Sequence, residues 1–155
     1  HGRLDRLAEA AEVFDSRGVK TLIHCGDITT VEAVEAIGAF EVHWVFGNCD
    51  WDQDLLQTAM QRSGHTSHGL RGELEVAGRR LGFTHGHHAE LFEAMVVSRD
   101  YDIVFHGHTH ARRDQIIHGT RVICPGALHH AEPPGCAVLT VPKLRADWID
   151  VTGPG

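Results

Sequence analysis

The sequence predicts a mixed α/β protein, with parallel strand pairing in its first part and antiparallel pairing near its end. From Leu4 to Gly64, segments with helical apolar spacing alternate with short apolar runs, and this alternation favours parallel strands joined by helices. From Asp114 onward the chain consists of short strand-like runs separated by turns, which favours an antiparallel meander. Together these patterns predict layered sheets covered by helices, with a second sheet built by the C-terminal meander.

The first part of the chain begins with a helix, because apolar residues recur at helical spacing before a glycine that can close it. Two short apolar runs, 19–24 and 42–46, predict strands on either side of a second helix at 31–37. A third helix starts near Asp52, a favourable N-cap residue, and runs to Gly64. The residues that define the first helix are Leu4, Leu7, Ala8, Ala11, Phe14 and Gly18.

The later elements follow from strand patterns around turn residues. Ala77-Gly78 separates two runs with strand character and predicts a hairpin. A helix carrying Leu91, Phe92 and Met95 leads to the apolar strand Ile103-Val104-Phe105. The other strands are predicted at 72–76, 79–84, 115–118, 121–124, 137–141 and 146–151.

Length and composition are those of one ordinary globular domain, which we expect to span 1–155. The 155 residues are 42% hydrophobic and 23% charged. A net charge of −7 argues against a protein that coats duplex nucleic acid. No apolar run approaches the roughly 20 residues of a membrane span. The cysteines show no C-x-x-C spacing, so we predict reduced thiols and a cytoplasmic location.

Histidine is unusually frequent, with 14 residues against one tyrosine, and several histidines follow strand-like runs. Four such runs end beside a glycine and a side chain that can bind a metal ion. Sites in open α/β sheets form at the carboxyl ends of the strands, so parallel neighbours would bring these ends together. A carboxylate, an amide oxygen and imidazoles suit Mn, Fe, Zn or Ni better than Ca or Mg. The four ends are Gly26-Asp27, Gly47-Asn48, His85-Gly86, and Gly107-His108 with His110.

Each of these residues also has an ordinary structural explanation. Asp27 could be a helix N-cap, Asn48 a turn residue and His85 the satisfied polar end of a strand. The recurrence of the pattern at four strand ends favours a metal site over four independent coincidences. Because Asp27 is the only carboxylate in the set, it is the natural bridge between two cations.

The same residues resemble the motifs of the calcineurin-like metallophosphoesterases, in order and spacing, over nearly the whole chain. The resemblance implies a four-layer α-β-β-α sandwich that carries a binuclear metal centre. The matching segments are Gly26-Asp27, Gly47-Asn48, His85 and Gly107-His108-Thr109-His110. Similarity to the YfcE-type branch of small phosphodiesterases is carried by Gly47-Asn48-Cys49-Asp50, Thr84-His85-Gly86-His87, and Ala127 after Cys124-Pro125-Gly126.

The resemblance also implies a ligand set and a reaction. The reaction is phosphodiester hydrolysis by a hydroxide bridging two divalent cations, with manganese as the first choice and Ni, Zn, Fe or Mg as alternatives. Asp27 and Asn48 are the implied catalytic residues, and Asn48 helps the metals to hold the phosphoryl oxygens. No protein nucleophile is indicated, since the chain has no G-x-S-x-G motif. One metal takes His1, Asp27 and His110, and the other takes Asp27, Asn48, His85 and His108.

Two positions depart from the family pattern. The family begins with a strand that ends in D-x-H-G, and His1-Gly2 matches only the end of that motif. We therefore expect an N-terminally truncated record, in which the working protein carries roughly 6–10 more residues, an apolar strand and the Asp. Cys49 stands where many family members carry His, a candidate general acid, although Cys is usual in the YfcE-type branch.

Three residues are assigned to substrate contact or to support of the metal ligands. Cys49 is either a packed thiol or the general acid that protonates the leaving group. If it is only a packed thiol, the leaving group is protonated by water, by His87 or by no group. Asp50 is expected to orient Asn48 or His85, or to cap the following helix. His87 could contact substrate or be a solvated loop residue. The same choice applies to His88, His129 and His130.

The substrate is expected to be a small phosphoester, because the chain shows no basic stripe or aromatic ladder for polynucleotide binding. No membrane partner is indicated, and a homo-oligomer is compatible with the sequence. The alternative function is a non-catalytic interaction scaffold on the same fold, as in a retromer subunit, but the filled ligand positions favour an enzyme. A metallo-β-lactamase-like hydrolase is excluded, because its H-x-H-x-D-H run is absent.

Overall fold

The computed structural model describes residues 2–153. Within that range the chain forms four helices and ten strands, and the strands are arranged in three sheets. The helices are α1 (Leu4–Ser16), α2 (Val31–Ala36), α3 (Gln53–Arg62) and α4 (Ala89–Ser98). The strands are β1 (Thr21–His24), β2 (Glu41–Trp44), β3 (Thr66–Ser67), β4 (Arg71–Val76), β5 (Arg79–Thr84), β6 (Ile103–His106), β7 (Arg113–Ile117), β8 (Thr120–Cys124), β9 (Gly135–Thr140) and β10 (Arg145–Asp150).

The first part of the chain builds a parallel three-stranded sheet, β1-β2-β3, with α1, α2 and α3 packed beside it. Trp44 of β2 and Met60 of α3 are fully buried in the shared core. Asp52 caps α3 by accepting a hydrogen bond from the backbone N–H of Leu55 at 3.0 Å, as predicted. Alternating strands and helices thus produce the expected parallel layer.

A five-stranded mixed sheet, in the order β4-β5-β6-β8-β7, forms the second layer. The inner strands β5, β6 and β8 are parallel, whereas the hairpin partners β4 and β7 lie antiparallel at the two edges. Ala77 and Gly78 both have positive φ, 51° and 74°, as the tight turn between β4 and β5 requires. Met95 and Val96 of α4 pack against Val104 and cover the outer face.

The hairpin β9-β10 lies between α1 and the five-stranded sheet. Successive side chains of a strand point to opposite faces, and both faces of this hairpin carry apolar residues. Ile149 packs toward Ala10 of α1, while Trp148 packs toward Ile103 of β6. The layers are therefore helix, sheet, sheet and helix, which confirms the predicted sandwich. An apolar cavity of about 670 Å³ separates β1 from β9, and its lining includes Asp27 and His85.

Two sequence-based expectations need correction. The second sheet is not built by the C-terminal meander alone, because β4, β5 and β6 supply most of it and β9-β10 pair separately. The short strand β3 was not predicted, since Thr66–Ser67 is too brief to show a period. Every cysteine is a free thiol. No helix within residues 2–153 is long and apolar enough to cross a membrane.

Candidate metal centre

Four polar side chains meet where two pairs of parallel strands end. Asp27 and Asn48 follow β1 and β2 of the three-stranded sheet, and His85 and His108 follow β5 and β6 of the five-stranded sheet. The four strand ends therefore belong to two facing sheets, and they are not four neighbours within one sheet as the sequence suggested. The site lies where the carboxyl ends of the strands in one sheet approach those of the strands in the other.

Glycine makes this close approach of backbone and side chains feasible. A Cβ atom added to Gly47 would lie 2.6 Å from the backbone nitrogen of Asp27 and would overlap its carboxylate. One added to Gly26, whose φ is 90°, would lie 2.7 Å from Nδ1 of His85. The glycines beside the predicted ligands are thus required by steric contact as well as by turn conformation.

Three residues of the site adopt the left-handed backbone region that non-glycine residues rarely occupy. The φ angles are 60° for Asp27, 63° for His108 and 58° for His110. Such conformations cost about 1–3 kcal/mol each and persist only where surrounding contacts impose them. Their concentration at these strand ends marks the loops as built for a specific side-chain geometry.

His85 lies at the centre of the cluster. Its Nε2 is 3.0 Å from Oδ1 of Asn48 and 3.4 Å from Oδ2 of Asp27. Oδ1 of Asn48 is in turn 3.1 Å from Nδ1 of His108. His85 and Asp27 are buried, whereas Asn48 and His108 are exposed, so the cluster has a buried floor and an open rim.

The orientation of His85 decides what the cluster can hold. Its Nδ1 lies 2.6 Å from the carbonyl oxygen of Cys25, and because a carbonyl only accepts, we infer that Nδ1 carries the proton. In the neutral ring Nε2 is then an acceptor that faces two further acceptors, the oxygens of Asn48 and Asp27. A positive charge among them, either a bound metal ion or a proton on Nε2, satisfies these convergent lone pairs.

Asp27 and His85 shift the pKa of one another. Burial favours a higher pKa for Asp27, but the hydrogen bonds from His85 and from the Cys49 amide outweigh it and lower the pKa to about 2. Burial favours a lower pKa for His85, yet Asp27 and the Cys25 carbonyl outweigh it and raise the pKa. Asp27 therefore supplies a permanent negative charge at neutral pH that attracts a cation.

His110 and His87 lie on the same loops as the cluster. His110 follows His108 in the loop after β6, and His1 lies outside the described residues. The His87 ring is 5.2 Å from the His85 ring and 6.3 Å from the His108 ring, with a buried Nδ1 that has no hydrogen-bond partner. Burial, together with the neighbouring imidazoles, lowers the pKa of His87.

Cys49 and Asp50 take positions that the sequence left open. The backbone N–H of Cys49 donates to Oδ1 of Asp27 at 2.9 Å, and burial and Asp27 raise the pKa of the thiol, which stays protonated at neutral pH. The carboxylate of Asp50 accepts from backbone amides, and α3 is capped by Asp52. The expectation that Asp50 caps that helix is therefore wrong.

Sequence reasoning missed one contributor, the carbonyl of Cys25, because a backbone oxygen has no residue-type signal. Its position directly before Gly26-Asp27 at the end of β1 was the available clue. The alternative explanation of Asp27 as a helix N-cap fails, since Thr30 caps α2 by accepting from Ala33. Asp27 instead faces the site, where its Oδ2 lies 3.4 Å from Nε2 of His85.

Within residues 2–153, no group of three or more His, Cys, Asp or Glu side chains is close enough to form a metal cage by itself. The amide oxygen of Asn48 lies at the middle of the cluster and links His85 to His108. The donor set present is thus mixed nitrogen and oxygen, with an amide as its connecting member. Such a set fits divalent transition metals.

Comparison with known proteins gives consistent relatives. Phosphodiesterase MJ0936 of Methanocaldococcus jannaschii is 28% identical over 131 residues, which cover 81% of this chain and 78% of that protein. The structure of a novel archaeal phosphodiesterase matches with a TM-score of 0.89 at 25% identity, over 97% of this chain and 94% of that one. These similarities agree with the small-phosphodiesterase branch indicated by the motifs.

A single mutant of Vps29 from Entamoeba histolytica also matches, with a TM-score of 0.62 at 20% identity, over 90% of this chain and 88% of that one. This likeness shows the fold alone. The model of the calcineurin-like phosphoesterase superfamily domain matches residues 1–143, nearly the whole chain. That match includes every residue of the strand-end cluster. The chain therefore belongs to the calcineurin-like phosphoesterase superfamily and is a phosphoester hydrolase.

Proposed function

We propose that this protein is a phosphodiesterase that uses two divalent cations to hydrolyse small phosphodiesters. The observation that carries the proposal is the convergence of acceptor atoms from Asp27, Asn48 and His85, with the tautomer of His85 set by a backbone carbonyl. Phosphodiesterase relatives at 25–28% identity support the choice of a diester substrate.

Asp27, Asn48, His85 and His108 would hold the cations, together with His110 and with His1, which lies outside the described residues. When bound, two such cations polarise a phosphoryl group and lower the pKa of an attacking water. Asp27 supplies the ionised carboxylate, and Cys49 orients it through a backbone N–H. The amide of Asn48, which is exposed, would contact a phosphoryl oxygen at the open rim.

The protonated thiol of Cys49 does not act as a nucleophile, because the thiolate is the reactive form and its pKa is raised. Leaving-group protonation therefore rests with water, with Cys49 acting as an acid, or with His87. Manganese is our first choice of metal, with Ni, Zn, Fe and Mg as alternatives, because nitrogen and oxygen donors discriminate weakly among them.

Removal and return of metal tests the proposed function. Chelator-stripped protein should not hydrolyse bis(p-nitrophenyl) phosphate. Refilling with Mn²⁺ should restore turnover, because the cations would again polarise the phosphoryl group and lower the pKa of the attacking water. The assay is repeated with Ni²⁺, Zn²⁺ and Mg²⁺, and with p-nitrophenyl phosphate as the monoester. Absence of turnover with every metal, in protein shown to be folded by circular dichroism, would favour the scaffold alternative.

Substitution of His108 by Ala should remove one metal preferentially, because His108 is expected to bind only one of the two cations, on the side of the cluster where its Nδ1 lies 3.1 Å from Oδ1 of Asn48. We expect metal content, measured by mass spectrometry of the purified protein, to fall by about one equivalent per chain. His118→Ala is the matched control, since His118 is also exposed and also has positive φ, 51° against 63° for His108. Equal metal content in the two variants would remove His108 from the ligand set.

A further inference from the structure

Asp50 is a buried carboxylate, 4% exposed, whose hydrogen-bond partners are three backbone amides. Its Oδ2 accepts from the N–H of Gly47 at 2.7 Å and from the N–H of Asp27 at 2.8 Å. Its Oδ1 accepts from the N–H of Thr29 at 2.9 Å. One carboxylate thus joins the loop after β1 to the loop after β2.

The two loops are held reciprocally. While Asp50 binds the amide of Asp27, the carboxylate of Asp27 accepts from the amide of Cys49 in the Asp50 loop. Asp27 and Thr29 both have positive φ, 60° and 68°, so the first loop needs contacts that hold its strained backbone. Asp50 supplies two such contacts.

We propose that Asp50 is the positioning residue of the metal centre. It fixes the backbone of Asp27, which sets the direction of the Asp27 carboxylate, and it fixes Gly47, which precedes Asn48. This inference rests on the proposed function, since it assigns Asp50 a role in placing the metal ligands. Asp50 acts through the backbone and meets neither substrate nor reacting atoms.

The chemistry requires a carboxylate at this position. Two N–H groups converge on one oxygen, and a third N–H faces the other oxygen. An Asn side chain at position 50 would offer one acceptor oxygen and would turn an NH₂ group toward at least one N–H donor. The Asp50→Asn variant therefore keeps the shape of the side chain and breaks the connection between the loops.

The test is Mn²⁺ binding to the metal-free wild type and to Asp50→Asn by isothermal titration calorimetry, at a temperature where circular dichroism shows both to be folded. We expect at least about tenfold weaker Mn²⁺ binding by the variant, as for other residues that orient ligands. Asp52→Asn is the control, because Asn still caps α3, and it should bind like the wild type.

A lower melting temperature of Asp50→Asn with unchanged Mn²⁺ affinity would overturn the inference and leave Asp50 a structural residue. Failure of the wild type itself to bind Mn²⁺, Ni²⁺, Zn²⁺ or Mg²⁺ would instead overturn the proposed function. If Asp50→Asn does not fold, hydrogen exchange in the metal-free wild type decides. The amides of Asp27, Thr29 and Gly47 should exchange as slowly as strand amides, and exchange at the rate of free loop amides would overturn the inference.

Discussion

The Asp27→Asn variant is expected to lose its metal and its phosphodiesterase activity. Asn keeps the size of the side chain and an oxygen that can accept from the Cys49 amide. It removes the negative charge of the Asp27 carboxylate, whose pKa is about 2. Because the remaining donors of the cluster are uncharged when they bind metal, no other carboxylate compensates for that loss. We expect Mn²⁺ affinity to fall at least about 100-fold, beyond what residues that only orient ligands contribute.

The measurement is calorimetric titration of Mn²⁺ with a parallel assay of bis(p-nitrophenyl) phosphate hydrolysis. Asp54→Asn is a suitable control, because it removes one carboxylate from the exposed surface of α3 and leaves the cluster untouched. Should Asp27→Asn retain both metal and turnover, the assignment of Asp27 as the bridging ligand would be wrong.

The Gly47→Ala variant is expected to be unstable and inactive. The added Cβ would lie 2.6 Å from the backbone nitrogen of Asp27 and would overlap the Asp27 carboxylate. Relief requires the β1 and β2 loops to separate, although Asp50 joins Gly47 and Asp27 through its carboxylate. We expect a loss of about 3 kcal/mol in the free energy of unfolding, at the upper end for overpacked sites.

Thermal denaturation measures this effect, and a loss of that size corresponds to a fall of about 6–12 °C in melting temperature. Gly64→Ala separates steric overlap from backbone strain, since Gly64 has φ 73° with no atom within 4 Å of the added Cβ. That control should lose only about 1–2 kcal/mol and keep its metal affinity. Comparable losses of metal affinity in both variants would contradict a steric role specific to Gly47.

Local sequence patterns were sufficient for most elements and for the identity of the cluster. The helical spacing from Leu4 to Phe14, the cap at Asp52 and the turn at Ala77-Gly78 all depend on residues a few positions apart. The rule that sites form at strand ends predicts that Asp27 and His85 lie close together. The helix, cap and turn predictions succeeded because their physical cause lies within one turn of helix or one turn between strands.

Local patterns of residues therefore define most strands and helices and the side chains at the strand ends. The folded chain is needed to show that those ends come from two facing sheets, that the Cys25 carbonyl orients His85, and that Asp50 joins two loops. The last two contacts involve backbone amides and carbonyls whose partners are 23 and 60 residues away along the chain. Every residue type carries the same backbone groups, so their partners are set by the fold and leave no mark in the amino-acid pattern.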